Sequence, residues 1–358
     1  MKREHLNVLM STSKNVDTKT SLSNLERLGW QPYFAQQISI DQLAQSPPVR
    51  VMEVQRSGLH VVGETVDTHI EPNADVTVGD WLLLETAPAK ASTLLQRKSL
   101  IKRRAPGHDR KIQLIAANID TVFIVTSCNP DFNIARLERY VALALEAEIT
   151  PVIVITKADM CEDPESYRAQ AETVSEMVEV VLLDARGDEP KNCLATWCKA
   201  GQTVAFLGSS GVGKSTLTNA LSGSTSIATQ PIREDDARGR HTTTSRQLHL
   251  LDNGCVVLDT PGMRELQLTD AEAGIANLFS DIEELATQCR FNDCSHQQEP
   301  GCAVLAAIES GDLDPQRLER WRKLAAEEQF NTMSLAQRRS KDRAFGKMVR
   351  NAMQHKKR

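Results

Sequence analysis

Three textures of apolar and polar positions succeed one another along the chain. Residues 1–46 are polar and rich in Ser and Thr, with one short amphipathic stretch around Leu25–Ile40. Residues 1–20 are expected to be loose, and Gly29-Trp30 to pack onto the body. Pro47-Pro48 then opens a series of short β-rich runs, Val49–Val54, Leu59–Gly63 and Trp81–Leu84, punctuated by Gly58, Gly63, Pro72-Asn73 and Gly79-Asp80. That spacing predicts a small barrel or sandwich ending near residue 100. A barrel of the OB type binds oligonucleotides on one face; a barrel that only packs is the alternative.

From residue 112 the pattern becomes apolar strands alternating with helices. Strands are predicted at Asp120–Thr126, Pro151–Thr156, Val180–Leu183 and Thr203–Leu207. Helices are predicted over Ile134–Glu148, from Pro164 and near 190–199. Continuous apolar strands between helices imply a parallel sheet covered on both faces, which binds ligands at the carboxyl ends of its strands.

The chain has 358 residues, more than one hydrophobic core usually serves. No apolar run approaches the roughly 20 residues of a membrane span. The Met1–His5 start lacks the apolar core of a signal peptide, so a cytoplasmic protein is the expectation. The net charge of −5 says little, but its distribution does. Lys and Arg crowd residues 338–358 against a single acid, Asp342, and a second basic cluster runs from Arg97 to Lys111. Basic blocks on an acidic chain suggest a polyanion such as nucleic acid; a solvated tail is the alternative.

The strand Thr203–Leu207 runs into Gly208-Ser209-Ser210-Gly211-Val212-Gly213-Lys214-Ser215-Thr216, followed by an apolar helix, the required context of a P-loop. Its glycines let successive N–H groups face the phosphates at a helix N-terminus. Lys214 is expected to neutralise the β and γ phosphates and Ser215 to ligate Mg²⁺. Thr156-Lys157-Ala158-Asp159, at a strand end, is a variant of the guanine-reading Asn-Lys-x-Asp motif. Asp159 can accept both guanine N1–H and the exocyclic amine, a donor pair adenine does not present, and Lys157 can lie along the base. The expected ligand is therefore GTP, with Thr156 in place of Asn weakening the base contact. Asp259-Thr-Pro-Gly262 follows the strand Cys255–Leu258: Asp259 would hold a Mg²⁺-bound water and the Gly262 N–H would sense the γ-phosphate. Between these lies the polar segment Gly239–Thr244, whose Thr243 can complete the Mg²⁺ shell only when a γ-phosphate is present, as a switch does. Met263 cannot orient a water, which leaves His241 and Arg240 as candidates for hydrolysis; an exposed loop histidine is the alternative for His241. The guanine motif precedes the P-loop, the reverse of the Ras-like order, so the expected fold is a circularly permuted GTPase.

Five of the eight cysteines are scattered and read as small buried hydrophobes. Cys289, Cys294 and Cys302, with His296, make a closed set of three thiolates and one imidazole, the donor set of a structural Zn²⁺; unbound buried thiols are the alternative.

On Ala117-Asn-Ile-Asp120, Thr156–Asp159, Gly211–Ser215, Gly239–Thr244, Asp259–Gly262 and Cys289–Cys302, the chain resembles the RsgA (YjeQ) family of circularly permuted, ribosome-small-subunit-dependent GTPases. The resemblance covers roughly residues 47 to 330 and implies a multidomain fold: an OB-type β-barrel (47–100), a circularly permuted P-loop α/β GTPase domain (101–287) and a C-terminal α-helical zinc-binding domain with a basic helical tail (288–358); the N-terminal extension (1–46) lies beyond the pattern. The resemblance also implies binding of GTP and GDP, of the 30S subunit and of its 16S rRNA during late 30S maturation, with ribosome-stimulated hydrolysis; a monomer is expected. It matches His241 to the hydrolytic histidine, and it makes Ala185 of Asp184-Ala185 the contact to guanine O6, where the family has Ser-Ala. The other readings are an RNA-binding factor for which GTP is a clamp with little turnover, or a GTPase of another RNA particle.

Overall fold

The computed structural model describes residues 22–85, 92–104, 112–222, 246–259 and 270–332. Residues 24–45 form three short helices, α1 (Asn24–Arg27), α2 (Pro32–Ala35) and α3 (Ile40–Gln45). Ser23 and Ser39 start α1 and α3 with reciprocal caps from Glu26 and Gln42. Helices this short do not stand alone in water, and tertiary contacts hold them. Leu28 and Phe34 are buried, and Trp30 meets Trp81 edge-on with ring centroids 4.8 Å apart. Gly29-Trp30 thus packs as its sequence suggests.

The next five strands are β1 (Pro48–Gln55), β2 (Gly58–Gly63), β3 (Asp67–Ile70), β4 (Trp81–Leu83) and β5 (Thr93–Leu94), antiparallel in the order β3–β2–β1–β4–β5. Val49, Val51, Leu59, Val61, Val76 and Leu82 make a small core of their own. Arg50, on the other face of β1, is fully buried and lies over Trp81. It donates to the carbonyls of Leu28 and Asn118. Burial pulls its pKa down to about 10, against the pull of Asp120 and Asp80, so it stays charged at neutral pH.

An antiparallel ribbon follows, β6 (Leu100–Arg104) and β7 (Ile112–Ala117). The sequence showed here only a basic cluster, because Lys102-Arg103-Arg104 hides the strand alternation. The α/β region is β8 (Thr121–Ser127), α4 (Ile134–Glu146), β9 (Thr150–Thr156), α5 (Pro164–Glu172), β10 (Glu179–Leu182), α6 (Glu189–Cys193), β11 (Thr203–Leu207), α7 (Lys214–Ser222), β12 (Arg246–Leu250) and β13 (Val256–Asp259). Strands β10–β9–β8–β11–β13 are parallel, and β12 closes this part antiparallel to β13. Successive strand residues point to opposite faces, so each apolar run feeds two cores. Ile124, Ile153, Ala205 and Leu258 join the core that takes in α4. Phe123, Val152, Val204 and Val257 join the core under α7.

Two features bind the β-rich unit to this sheet. Strand β12 pairs with the second half of β1 (Glu53↔Gln247, Val54↔Arg246), so eleven strands run on as one sheet. The turn Ala117–Asp120 is the second. Asn118 takes a left-handed backbone (φ 57°), donates to Gly79 O and accepts from Lys98 N–H, while Asp120 accepts from Thr203 N–H at 2.8 Å. This stretch, one of those carrying the family resemblance, is therefore a structural clasp at the amino ends of β8 and β11, remote from the phosphate loop.

Helices α8 (Glu272–Leu278), α9 (Ser280–Ala286), α10 (Ala303–Ser310) and α11 (Pro315–Thr332) complete the described fold. Gly274 lets α8 cross α4 closely: a Cβ there would lie 2.1 Å from Ala142 O. Arg317 of α11 pins three elements at once. It pairs with Asp281 through Nε (2.7 Å) and Nη2 (2.9 Å), donates to the carbonyls of Leu278 and Val174, and stacks on Phe279. Arg320 reaches the fully buried Glu138 of α4 at 2.8 Å, and burial pushes that carboxyl above its ordinary pKa despite the two arginines. Removing one partner of a buried ionic cluster strands the others. Arg317→Ala is accordingly expected to lower stability by about 2–4 kcal/mol in urea unfolding.

Candidate nucleotide site and metal centre

The carboxyl ends of β9, β10 and β11 lie side by side, because these strands are parallel and separated only by β8. Each end carries one sequence-predicted motif. From β11 the chain turns at Gly208 (φ 148°), where a Cβ would sit 2.1 Å from Val125 O of β8; only glycine admits so close an approach. Gly211 and Gly213 also have positive φ, and α7 begins at Lys214. The Lys214 ammonium lies on the loop's own carbonyls, Gly208 O at 2.7 Å and Ser209 O. Ser210, Ser215 and Thr216 are exposed at the mouth, whereas Val212 is buried under it.

Thr156 ends β9 fully buried, and its hydroxyl donates to Val212 O in the P-loop (2.7 Å) with Thr126 O at 3.1 Å. One hydroxyl thus ties the Thr156–Asp159 loop to the Gly208–Ser215 loop. Lys157 is left-handed (φ 60°) and caps the single helical turn Ala158–Met160 that presents Asp159. Ala185, after β10, is buried; a Cβ on Gly213 would meet it at 3.7 Å and Thr156 Oγ1 at 3.5 Å. Three loops from distant parts of the chain therefore meet around Gly213. A residue the motifs did not reveal, Arg186, bridges Asp159 and Asp184. Asp259 closes β13, whose register places it beside the end of β11. His241, Thr243 and Gly262, with Arg240, Met263 and the basic block 338–358, lie outside the described residues.

The second cluster is a donor cage. The ligand atoms of Cys289, Cys294, His296 and Cys302 all lie within 4.8 Å of one another. Zn–S bonds of about 2.3 Å and Zn–N bonds of about 2.0 Å make tetrahedral edges of roughly 3.8 Å for S···S and 3.5 Å for S···N. The separations are 3.9 Å for Cys289 Sγ–Cys302 Sγ, 3.6 Å for Cys289 Sγ–His296 Nδ1 and 3.4 Å for His296 Nδ1–Cys302 Sγ. Burial, then Arg322, lowers the His296 pKa, which favours the neutral imidazole a metal needs. Glu299 belongs to no motif. Its carboxylate receives N–H bonds from Ser295, Gln297 and Gln298 and the Ser295 hydroxyl, folding the loop between the ligands. The bond to the Ser295 side chain leads in holding its pKa at about 2. That bracing is in place above the ordinary glutamate pKa and is lost only as pH falls through about 2.

The model of the family described as RsgA GTPase matches residues 94–269. A protein of Vibrio parahaemolyticus named small ribosomal subunit biogenesis GTPase RsgA 2 is 48% identical over 345 residues, 95% of this chain and 96% of its own. The chain belongs to the RsgA GTPase family. An RsgA protein of Mesorhizobium japonicum, also named a small ribosomal subunit biogenesis GTPase, is 52% identical over 321 residues, 87% of this chain and 92% of its own. Among solved structures, YjeQ from Thermotoga maritima superposes with a TM-score of 0.57 at 26% identity, covering 78% of this chain and 97% of that one. YloQ, described as a circularly permuted GTPase, gives 0.53 at 25% identity, covering 81% and 97%. The RsgA fold of this chain is likewise permuted: the guanine-motif strand β9 precedes the P-loop strand β11 and the Asp259 strand β13. Among the described residues, no helix is long and apolar enough to cross a membrane.

Proposed function

We propose that this protein is a GTP hydrolase of small-subunit biogenesis, which binds the 30S subunit, assists its late maturation and turns over GTP faster when bound. The convergence of Thr156–Asp159, Asp184-Ala185 and Gly208–Ser215 on one edge of the sheet carries the reading, and the names of the 48–52% identical relatives supply the particle. In this reading Asp159 accepts from guanine, with Lys157 along the base and Ala185 at O6. The P-loop amides of Ser209 to Thr216 and Lys214 hold the phosphates. Ser215 and Thr243 ligate Mg²⁺, Asp259 holds its water, Gly262 senses the γ-phosphate and His241 serves hydrolysis. Zn²⁺ in the Cys289–Cys302 cage keeps α10 and the loop before it folded.

The division into an extension (1–46), barrel (47–100), GTPase domain (101–287) and zinc domain (288–358) belongs to the same proposal. The strand order β3–β2–β1–β4–β5 supports a partly open OB-type barrel, which with the basic segments would grip 16S rRNA. A monomeric, cytoplasmic protein follows from this role. The test is GTP turnover by the full chain with and without purified 30S subunits. Stimulation of the order of 10²-fold is expected, the scale on which one positioned catalytic group acts. Unchanged turnover would remove the 30S subunit from the reading, and tight GTP binding with no hydrolysis would favour a nucleotide clamp.

A further inference from the structure

We infer that Arg186 is a built-in competitor for guanine at Asp159 and thereby sets the affinity of the base site. The inference rests on Asp159 reading the base. The Arg186 guanidinium lies between two carboxylates at the ends of β9 and β10. Its Nη2 donates to Asp159 Oδ2, while Nε reaches Asp184 Oδ1 at 3.0 Å and Oδ2 at 3.2 Å, and Nη2 reaches Asp184 Oδ2 at 2.9 Å.

The chemistry of the two donors is alike. Guanine N1–H and its exocyclic amine belong to a guanidine fragment, so an arginine head offers Asp159 the same kind of N–H that the base offers. Guanine needs a lone pair on each carboxylate oxygen, and Nη2 already holds Oδ2, so base and arginine compete for that oxygen. Displacement is cheap, for two reasons. Guanine brings two donors to Asp159 where Arg186 brings one. The arginine also keeps its fork on Asp184, the larger of the two influences that raise its pKa. Asp184 therefore serves as the resting place of the displaced side chain, a use for a carboxylate where the family pattern has serine. An arginine that merely braced the Asp159 loop would have the opposite effect on binding, since its loss would loosen the base site.

The size of the effect follows from exposure. The Arg186 side chain is 65% exposed and that of Asp159 32%, and ion pairs this open to water are worth little. The full-length protein is titrated with N-methylanthraniloyl-GDP and, by competition, with unlabelled GDP and GTP. Arg186→Ala is expected to tighten both nucleotides by the same factor, about two- to fivefold, and Arg186→Lys, which keeps the charge but not the fork, by less. Asp159→Asn should weaken GDP strongly and admit xanthosine diphosphate, and in that background Arg186→Ala should leave xanthosine diphosphate binding unaltered. Unchanged or weaker GDP binding by Arg186→Ala, with Asp159→Asn behaving as stated, overturns the competitor role. GDP binding unaffected by Asp159→Asn would instead overturn the base reading, and the inference with it.

Discussion

Replacing Lys214 with alanine is expected to lower GTP turnover by about 10²–10³-fold, the loss measured when one preorganised charge-stabilising donor is removed. The ammonium already lies at the mouth of the phosphate loop, on Gly208 O and Ser209 O. An incoming β,γ-diphosphate exchanges these neutral acceptors for anionic ones, a stronger class of hydrogen bond. Lys214→Ala leaves the loop's N–H groups in place, so the fold is kept and the chemistry is lost. Steady-state kcat/KM, nucleotide titration and circular dichroism together check this. His241→Ala is the contrasting variant, with nucleotide binding spared and hydrolysis slowed. Wild-type turnover in that variant would remove His241 from the reaction.

The second large effect concerns the donor cage. Structural zinc in small domains supplies about 10–16 kcal/mol of apparent binding free energy, which appears as folding free energy. Cys302 is buried, caps α10 through the Leu305 N–H and sits 3.4 Å from His296 Nδ1. Cys302→Ala is expected to abolish stoichiometric zinc, expose α10 and the preceding loop to protease, and lower the unfolding midpoint. Treatment of the native protein with a strong zinc chelator should reproduce all three. Zinc content by metal analysis and limited proteolysis read the outcome. A chain with no zinc and undiminished stability would show that the three thiols and the imidazole are packing groups only.

The parts of the fold that were legible in the sequence are those where chemistry restricts the residue types. A phosphate cradle needs glycines at Gly208, Gly211 and Gly213, because the backbone there has positive φ. A closed tetrahedral cage needs four thiolate or imidazole donors at close spacing, and Cys289, Cys294, His296 and Cys302 meet within 4.8 Å. The buried parallel strands were legible too, since both faces of β8, β9 and β11 must be apolar. What stayed hidden depends on pairings across long stretches of chain. Nothing in the run Val49–Val54 marks Arg50, yet it is the buried post on which α1 and the Asn118 turn hang. Lys102-Arg103-Arg104 reads as a basic cluster, yet it is half of the β6–β7 ribbon. Thr156 reads as a weakened base contact, and the tie of its hydroxyl to Val212 O, 56 residues on, has no mark in the sequence. Arg186 belongs to no motif, and only the fold puts it between Asp159 and Asp184.

The joint between β1 and β12 has a consequence for the order in which the molecule is made. The Glu53–Val54 edge is complete only when Arg246–Gln247 arrives, about 190 residues later in synthesis. At about 5–20 residues per second the ribosome takes roughly 10–40 s to deliver that partner. During this interval the second half of β1 is an open strand edge, the kind of surface that recruits other nascent chains. Its first half is already occupied by β4, and Glu53, Gln55 and Arg56 place polar and charged groups along the rest. Polar and charged side chains are what discourages pairing at such an edge, so the end of β1 is suited to wait uncovered until its partner strand is synthesised.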